Sequence, residues 1–376
     1  MIRLPRRILY LAKAPFFSGA ERALVMTLRA LDRARYEPAV IAGTEGEFAA
    51  QVRALDIPCR VIPLRRLEKT SPIGSCWAVA RVIAAAARLR PALIHSNDMQ
   101  SYAPGGYASR VLGVPVVSHL RFPGPAEGYA WFFQPRFTEA IFISEAFRRE
   151  ASEATPELFN GRSVVVYDGV EIPDEWPEAT RLEWRQRLGL PTDRVVIALT
   201  GQVSEIKGIW EFVEAAHLLR DTSAVFAVLG DDLRNAGALR REMEERVAQL
   251  GLADRFHFLG FRPDAAQIIR VFDIVAVPSH IEPFGLASLE AMASGRPVVA
   301  SRVGGIPEVV VVECGILVPP WDADALAAGL RRLVDDPRMR DDMGRAGRRR
   351  AREQFGLPVH AKALDSLYDR LLGSRS

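Results

Sequence analysis

The 376 residues are too many for one hydrophobic core of usual size and predict two domains. A hydrophobic fraction of 49% with 25% charged residues describes a folded globular protein, and no apolar run approaches the roughly 18 residues that span a bilayer. Cys59, Cys76 and Cys314 are scattered, which excludes both a disulfide framework and a zinc pattern and leaves them as plain core or surface residues. The net charge of +3 combines +7 over residues 1–170 (22 Lys plus Arg against 15 Asp plus Glu) with −4 over 171–376 (27 against 31). A basic N-terminal half suits an anionic partner, such as a membrane surface or an acidic acceptor, or is simply a solvated arginine-rich face. No helix-turn-helix, finger or RNA-binding pattern is present, so nucleic acid is not a predicted partner.

In chain order, the basic start leads into a short apolar run, 8–12, that reads as a first strand rather than a leader, and the default location is cytoplasmic. Short β-branched runs then recur at 38–43, 59–64, 92–96, 115–120, 139–144 and 163–170, with helical patterns between them, including 21–31 and 76–89. The grammar restarts at 195–200 and continues at 224–230, 255–260, 272–279, 296–301 and 315–320. Alternation of this kind predicts α/β architecture, two Rossmann-like domains of parallel strands with crossover helices. Between the halves, residues 168–194 carry Pro173, Pro177 and Pro191 and a short helical run, 180–188, and are placed as the hinge. The end of the chain, from Pro358, puts Leu364, Leu367, Tyr368 and Leu371 on one helical face.

Candidate site residues cluster at strand ends. After the strand at 272–279, Glu282 and Glu290 are separated by seven residues, with Pro283-Phe284-Gly285-Leu286 between a buried strand and a helical run. A helix N-terminus there offers unpaired backbone N–H groups and a positive dipole end to a diphosphate, and the flanking carboxylates can accept from sugar hydroxyls. The same spacing also fits two surface glutamates beside a turn. The strand at 195–200 is followed by Gly201-Gln202-Val203-Ser204-Glu205-Ile206-Lys207-Gly208, and the first strand by Phe17-Ser18-Gly19-Ala20-Glu21-Arg22; both run strand, glycine-bearing loop, helix. Lysine is rare, with Lys13, Lys69, Lys207 and Lys362 alone among 49 basic residues. A lysine at 207, in a chain that nearly always writes arginine, is a compact ammonium in a glycine-bearing loop or a stray surface lysine. Gly19 is where backbone could approach a phosphate, while Glu21 reads better as a first-turn helix charge. His119 ends the strand at 115–120, and Asn97 and Asp98 end the strand at 92–96, the edge where open α/β sheets place ligands. No strand is followed by G-x-G-x-x-G with a later acidic residue, nor by G-x-x-x-x-G-K-[ST], which sets aside a dinucleotide dehydrogenase and a P-loop hydrolase.

The string SHIEPFGLASLEAMASGRPVVASRVGGIPEVV closely resembles the E-x(7)-E signature of retaining glycosyltransferases of family 4, group 1. Gly201 to Gly208 resembles that family's G-R-L-x-x-x-K-G loop, with Gln202 in place of the commoner arginine, and residues 17–22 resemble its G-G-A-E-R loop. The resemblance implies the GT-B architecture, two Rossmann-like domains facing across a cleft, with a terminal helix crossing back to the N-terminal domain. It implies an acceptor domain over 1–172, a donor domain over 173–355 and the returning helix over 356–376.

By the same resemblance a sugar passes from a nucleotide-diphosphate sugar to a hydroxyl acceptor with retention, in cell-surface glycan or glycolipid biosynthesis. The acceptor is a saccharide, a lipid-linked compound or a small molecule. The implied catalytic residues are His119, touching the transferred sugar, Lys207 and Glu282. The implied donor-binding residues are Gly19, Gln202, Lys207, Arg262, Glu282, Phe284, Gly285, Leu286 and Glu290, with Glu290 on the ribose and the N–H groups of 284–286 on the diphosphate. Phe261-Arg262-Pro263-Asp264 matches the loop beside the nucleobase, and Gly304, Gly305 and Glu308 match the turn below the donor, although Glu308 could equally cap the segment that follows. No metal or other cofactor is implied, and no Asp-x-Asp cluster stands at the donor site. Gln202 removes one positive charge from the expected clamp, and with it comes an alternative, a non-catalytic nucleotide-sugar-binding protein on the same scaffold.

Overall fold

Each strand-like run of the sequence forms a strand; the first two start two residues earlier than read, and all but the first lose a residue or more where an end turns into a loop. The computed structural model describes residues 4–14, 17–65, 72–124, 126–133, 137–232 and 236–373. The chain forms two compact units, residues 1–169 with 357–376, and residues 170–356.

In the first unit the strands are β1 (Arg6–Ala12), β2 (Tyr36–Ala42), β3 (Cys59–Val61), β4 (Leu93–Ser96), β5 (Val116–Leu120), β6 (Glu139–Phe142) and β7 (Ser163–Val165). They form one parallel sheet in the order β3-β2-β1-β4-β5-β6-β7. β1 sits between β2 and β4, so the direction of winding reverses beside it. Burial is continuous along β4 and β5 and along β1 from Ile8, as parallel strands covered on both faces require, which is why they read as near-unbroken apolar runs; β3 and β7 at the sheet edges are less buried. The helix Gly19–Ala30 starts two residues earlier than its apolar period suggested because Ser18 and Glu21 close a capping box. Glu21 Oε2 accepts from the Ser18 N–H at 3.0 Å, satisfying an otherwise orphaned donor. The terminal helix Leu357–Gly373 belongs to this unit and buries Leu364, Leu367, Tyr368 and Leu371 in the same core as Leu24, Leu28 and Tyr10. At about 1.5–3 kcal/mol for each fully buried large apolar side chain, that face is ample to hold the helix in place.

In the second unit β8 (Val196–Thr200), β9 (Val225–Leu229), β10 (Phe256–Gly260), β11 (Ile274–Val277), β12 (Val298–Ser301) and β13 (Gly315–Val318) form a second parallel sheet, order β10-β9-β8-β11-β12-β13. Here the winding reverses between β8 and β11. Crevices outside the carboxyl ends of strands at such a point are where open α/β sheets bind ligands. At the opposite, N-terminal edge, Asp273 accepts from Arg181 Nη1 at 2.8 Å, Arg185 Nη2 at 2.6 Å and the Val196 N–H at 2.7 Å. That ionic knot ties the helix Glu178–Arg187 beneath the sheet.

Candidate active site

In the second unit two loops meet where β8 and β11 end. Gly201 adopts φ +117°, and the loop closes at Gly208, φ +68°, where a Cβ would lie 1.9 Å from the Pro278 carbonyl oxygen. Only glycine lets the loop after β8 press on the loop after β11 so closely. The His280 N–H donates to the Ile206 carbonyl at 2.8 Å and locks the two loops in register. Lys207, on the single turn Glu205–Lys207, is thereby delivered to Glu282, and its Nζ donates to Glu282 Oε2 at 2.5 Å. The other carboxylate oxygen, Oε1, accepts from the Gly285 N–H at 3.1 Å. Gly285, φ +106°, caps the helix Leu286–Ala293, which carries Glu290 on a half-exposed position.

Below this cluster the Gly305 N–H donates to the Glu282 carbonyl at 3.1 Å, and a Cβ on Gly304 would stand 2.1 Å from that oxygen. The G-G-x-P-E turn is thus a support that fixes the Glu282 backbone. Glu308 lies in the first turn of the short helix Ile306–Val309. Phe284 is buried and packs edge-to-face on Phe355, so what it can offer a ligand is its backbone. Gln202 is half-buried in the loop after β8. Arg262 follows β10, two strands away from β8, and donates twice to Asp264 in its own turn, both at 2.9 Å. The structure therefore brings Lys207, Glu282 and Gly285 into direct contact, while Arg262 is engaged elsewhere.

In the first unit, Gly19 is the exposed first residue of its helix. His119 is fully buried at the end of β5. Its Nδ1 lies 3.2 Å from Arg121 Nη2, and Arg121 in turn donates to Asp168 and, at 3.2 Å, to Asn97 Oδ1. Asn97 is wholly buried and also donates to the Ala20 carbonyl at 3.1 Å; Asp98 caps the helix Met99–Leu112, accepting from the Ser101 N–H at 2.6 Å. Both thus act on the scaffold, Asn97 by holding Arg121 and Asp98 by starting a helix. Beside His119 stands His95, ring centroids 5.4 Å apart, with Nδ1 2.6 Å from the Tyr368 hydroxyl of the terminal helix. His360 of that helix bridges Thr27 at 2.8 Å and the Tyr167 carbonyl at 2.7 Å.

Sequence reasoning missed Arg121, Asp168 and His95. Arg121 and Asp168 are far apart in the chain, and nothing in either neighbourhood advertises the pair; His95, in the run ALIHS, looked like an ordinary strand residue.

Burial holds these imidazoles neutral. Desolvation, with Arg121 next in importance, pushes His95 down to about 3 and His119 well below the ordinary histidine value, and burial also lowers His360. Each folded pKa lies below the unfolded one, so below about pH 6.5 the unfolded chain binds protons that the folded chain does not. Stability conferred by these groups is complete above that pH and is lost as pH falls toward the folded pKa, by about 1.4 kcal/mol per pH unit for each histidine. Urea midpoints of the first unit should therefore drop between pH 6.5 and 5; a midpoint that does not move would mean the imidazoles protonate in place.

Comparison with known proteins agrees with this geometry. The family described as glycosyl transferases group 1 matches residues 180–350, and that described as glycosyltransferase family 4 matches residues 17–172. A D-inositol 3-phosphate glycosyltransferase of Saccharomonospora viridis is 35% identical over 350 residues, 86% of this chain and 80% of the relative. A 2-deoxystreptamine glucosyltransferase of Streptomyces kanamyceticus is 32% identical over 293 residues, 72% of this chain and 74% of the relative. Among solved structures, HepE of Anabaena in complex with UDP-glucose superposes with a TM-score of 0.86 at 25% identity, over 97% of this chain and 99% of that one. With its paired parallel sheets, its glycine-set loops and these relatives, the chain belongs to glycosyltransferase family 4, group 1, and is a glycosyltransferase of the GT-B fold.

Proposed function

We propose that this glycosyltransferase takes a sugar from a nucleoside-diphosphate sugar and moves it, with retention of anomeric configuration, to a hydroxyl acceptor. The observation that carries the reading is the Lys207–Glu282–Gly285 cluster, an ammonium, a carboxylate and a helix N-terminus gathered where β8 and β11 diverge. In this reading Lys207 and the N–H groups of Phe284, Gly285 and Leu286 hold the diphosphate, on which charge builds as the glycosidic bond breaks. Glu282 exchanges its present partners in part for a sugar hydroxyl, Glu290 holds the ribose, Gln202 donates to a phosphate oxygen and Arg262 stands by the base. The donor domain is 173–355 and the acceptor domain 1–172, completed by the helix over 356–376; there Gly19 approaches phosphate and His119 meets the transferred sugar. The neighbour solved with UDP-glucose supports a uridine donor, and relatives named for inositol phosphate and 2-deoxystreptamine put small cyclitols first among acceptors to try.

A thermal-shift panel of UDP-, GDP- and ADP-sugars tests the donor. One of them should raise the melting temperature, because a ligand that binds only the folded state stabilises it by mass action. Glu290→Ala should weaken that ligand by roughly 1.5–3 kcal/mol, the worth of a charge-assisted hydrogen bond. Transfer should persist in excess EDTA, since the family resemblance implies no metal; loss of activity restored by manganese or magnesium would overturn that part. A donor that raises the melting temperature but is neither transferred nor hydrolysed would return the non-catalytic binding reading, and no shift with any of them would count against a nucleotide-sugar site.

We place the protein in the cytoplasm, in surface-glycan or glycolipid synthesis, with a peripheral contact to anionic membrane. Among the described residues no helix is long and apolar enough to cross a membrane. The contact would use the helix Pro72–Leu89, where Arg81 lies 4.8 Å from the ring of the exposed Trp77 and Arg88 follows two turns on, together with Arg65; Arg66 lies outside the described residues. An exposed tryptophan among arginines suits the headgroup level. Each basic residue contributes at most about 1 kcal/mol there, and less as salt screens it. Co-sedimentation should show salt-sensitive binding to anionic vesicles; equal binding to neutral ones, or none to either, would favour a soluble acceptor.

A further inference from the structure

An arginine cannot accept a hydrogen bond. Arg121 Nη2 lies 3.2 Å from His119 Nδ1, so Nδ1 must be the accepting nitrogen and the ring proton must sit on Nε2. That Nε2 is buried with no hydrogen-bond partner among the described residues; the nearest acidic oxygen, Asp168 Oδ1, is 3.9 Å away and is already committed to Arg121. Unpartnered buried donors in folded proteins call for an explanation.

We propose that Arg121, anchored by Asp168 and Asn97, is a positioning residue that fixes His119 as the neutral Nε2–H tautomer, so that His119 presents a hydrogen-bond donor to an oxygen of the sugar and cannot act as a base at that atom. The inference deepens the reading of His119 as a sugar contact and rests on it for its functional half; the tautomer itself rests on geometry alone. The charged and titratable groups that face the ring are Arg121, Asp168, His95 and His360. A proton added at Nδ1 would point at the Arg121 guanidinium, and burial opposes the imidazolium as well. The tie explains why a histidine and an arginine from the end of β5 are packed with an aspartate from beyond β7 into one buried spot. Without Arg121, Asp168 would be left as an uncompensated buried carboxylate, and the nearby imidazole would be drawn to protonate and pair with it.

The chain has only 6 histidines, so nitrogen-15 labelling of the imidazoles resolves them, and the His119 signals are assigned by their loss in His119→Asn. In the full-length wild type, Nδ1 should show the shift of an unprotonated nitrogen and Nε2 that of a protonated one, unchanged between about pH 5.5 and 8, a range centred near the ordinary histidine pKa. In Arg121→Met the His119 resonances should begin to titrate within that range, while Asp168→Asn, which leaves no carboxylate to pair with, should not bring that titration on. A wild-type ring protonated on Nδ1, or an Arg121→Met spectrum like the wild type, would overturn the proposal. These readouts need no activity. If His119→Asn transferred sugar normally, the sugar-contact reading would fall while the tautomer result stood, so the two failures are distinguishable.

Discussion

Lys207→Ala should lower kcat by roughly 10²–10³-fold, the usual cost of removing one preorganised donor from a developing negative charge. Lys207 is placed by a loop that closes tightly at Gly208, and its ammonium already sits on Glu282 at 2.5 Å. Lys207 is about one-third exposed but Glu282 is buried, so removing the ammonium leaves a carboxylate with the Gly285 N–H as its remaining partner and should cost some stability, which urea denaturation of the variant measures before the kinetics are read. In the proposed reaction the charge on the leaving diphosphate is greatest in the transition state, so the effect should fall on kcat more than on donor affinity. Lys207→Arg should recover only part of it: a planar guanidinium cannot occupy the place of a compact ammonium without displacing the Glu282 carboxylate. Steady-state kinetics at saturating donor check the result, and a kcat within threefold of wild type would remove Lys207 from the chemistry.

Asp273→Ala should cost the second unit about 3–5 kcal/mol, the range found when one partner is taken from a buried ion pair. Burial alone would raise the pKa of the Asp273 carboxyl, yet Arg185 and Arg181 beside it, with the Val196 N–H, hold it below the usual range. Arg185 is almost wholly buried and spends its other donors on the Val271 and Arg194 carbonyls, so it cannot turn to solvent when the carboxylate goes. Asp273 stands at the N-terminal edge of β11, whereas Glu282 follows its C-terminal end. Urea denaturation should show the loss while kcat of the folded variant stays near wild type. Replacing Arg181, Arg185 and Asp273 together by apolar residues of similar volume should recover much of the stability, since desolvating the three charges is itself costly. An Asp273→Ala midpoint equal to wild type would mean that water reaches the arginines.

The strands were legible because parallel strands covered on both faces must be apolar along their whole length, and chain order then dictated two α/β sheets. Less legible was the helix Met99–Leu112. Its Pro104, Gly105 and Gly106 look like loop punctuation. The structure gives another reason for the glycine: a Cβ at Gly105 would stand 2.5 Å from Leu11 Cδ1, so a side chain there would have to push the buried Leu11 aside. At the site, the Lys207–Glu282 contact could be expected from motifs at two strand ends that topology makes neighbours. What could not be read were pairings set by distant parts of the chain: Arg121 with Asp168, His95 with Tyr368, Arg185 with Asp273. Each joins residues 47 or more apart whose local sequence carries no periodic or motif signal.

Sugar transfer with retention from a nucleotide donor is tested most directly by following the anomeric proton during slow hydrolysis of UDP-glucose, or of whichever donor raises the melting temperature, in the absence of acceptor. An α-linked donor should release the α-anomer of the free sugar first, with the β-anomer growing in only as fast as spontaneous mutarotation allows. Release of the β-anomer first, or no release of nucleoside diphosphate with or without a panel of hydroxyl acceptors, would contradict it.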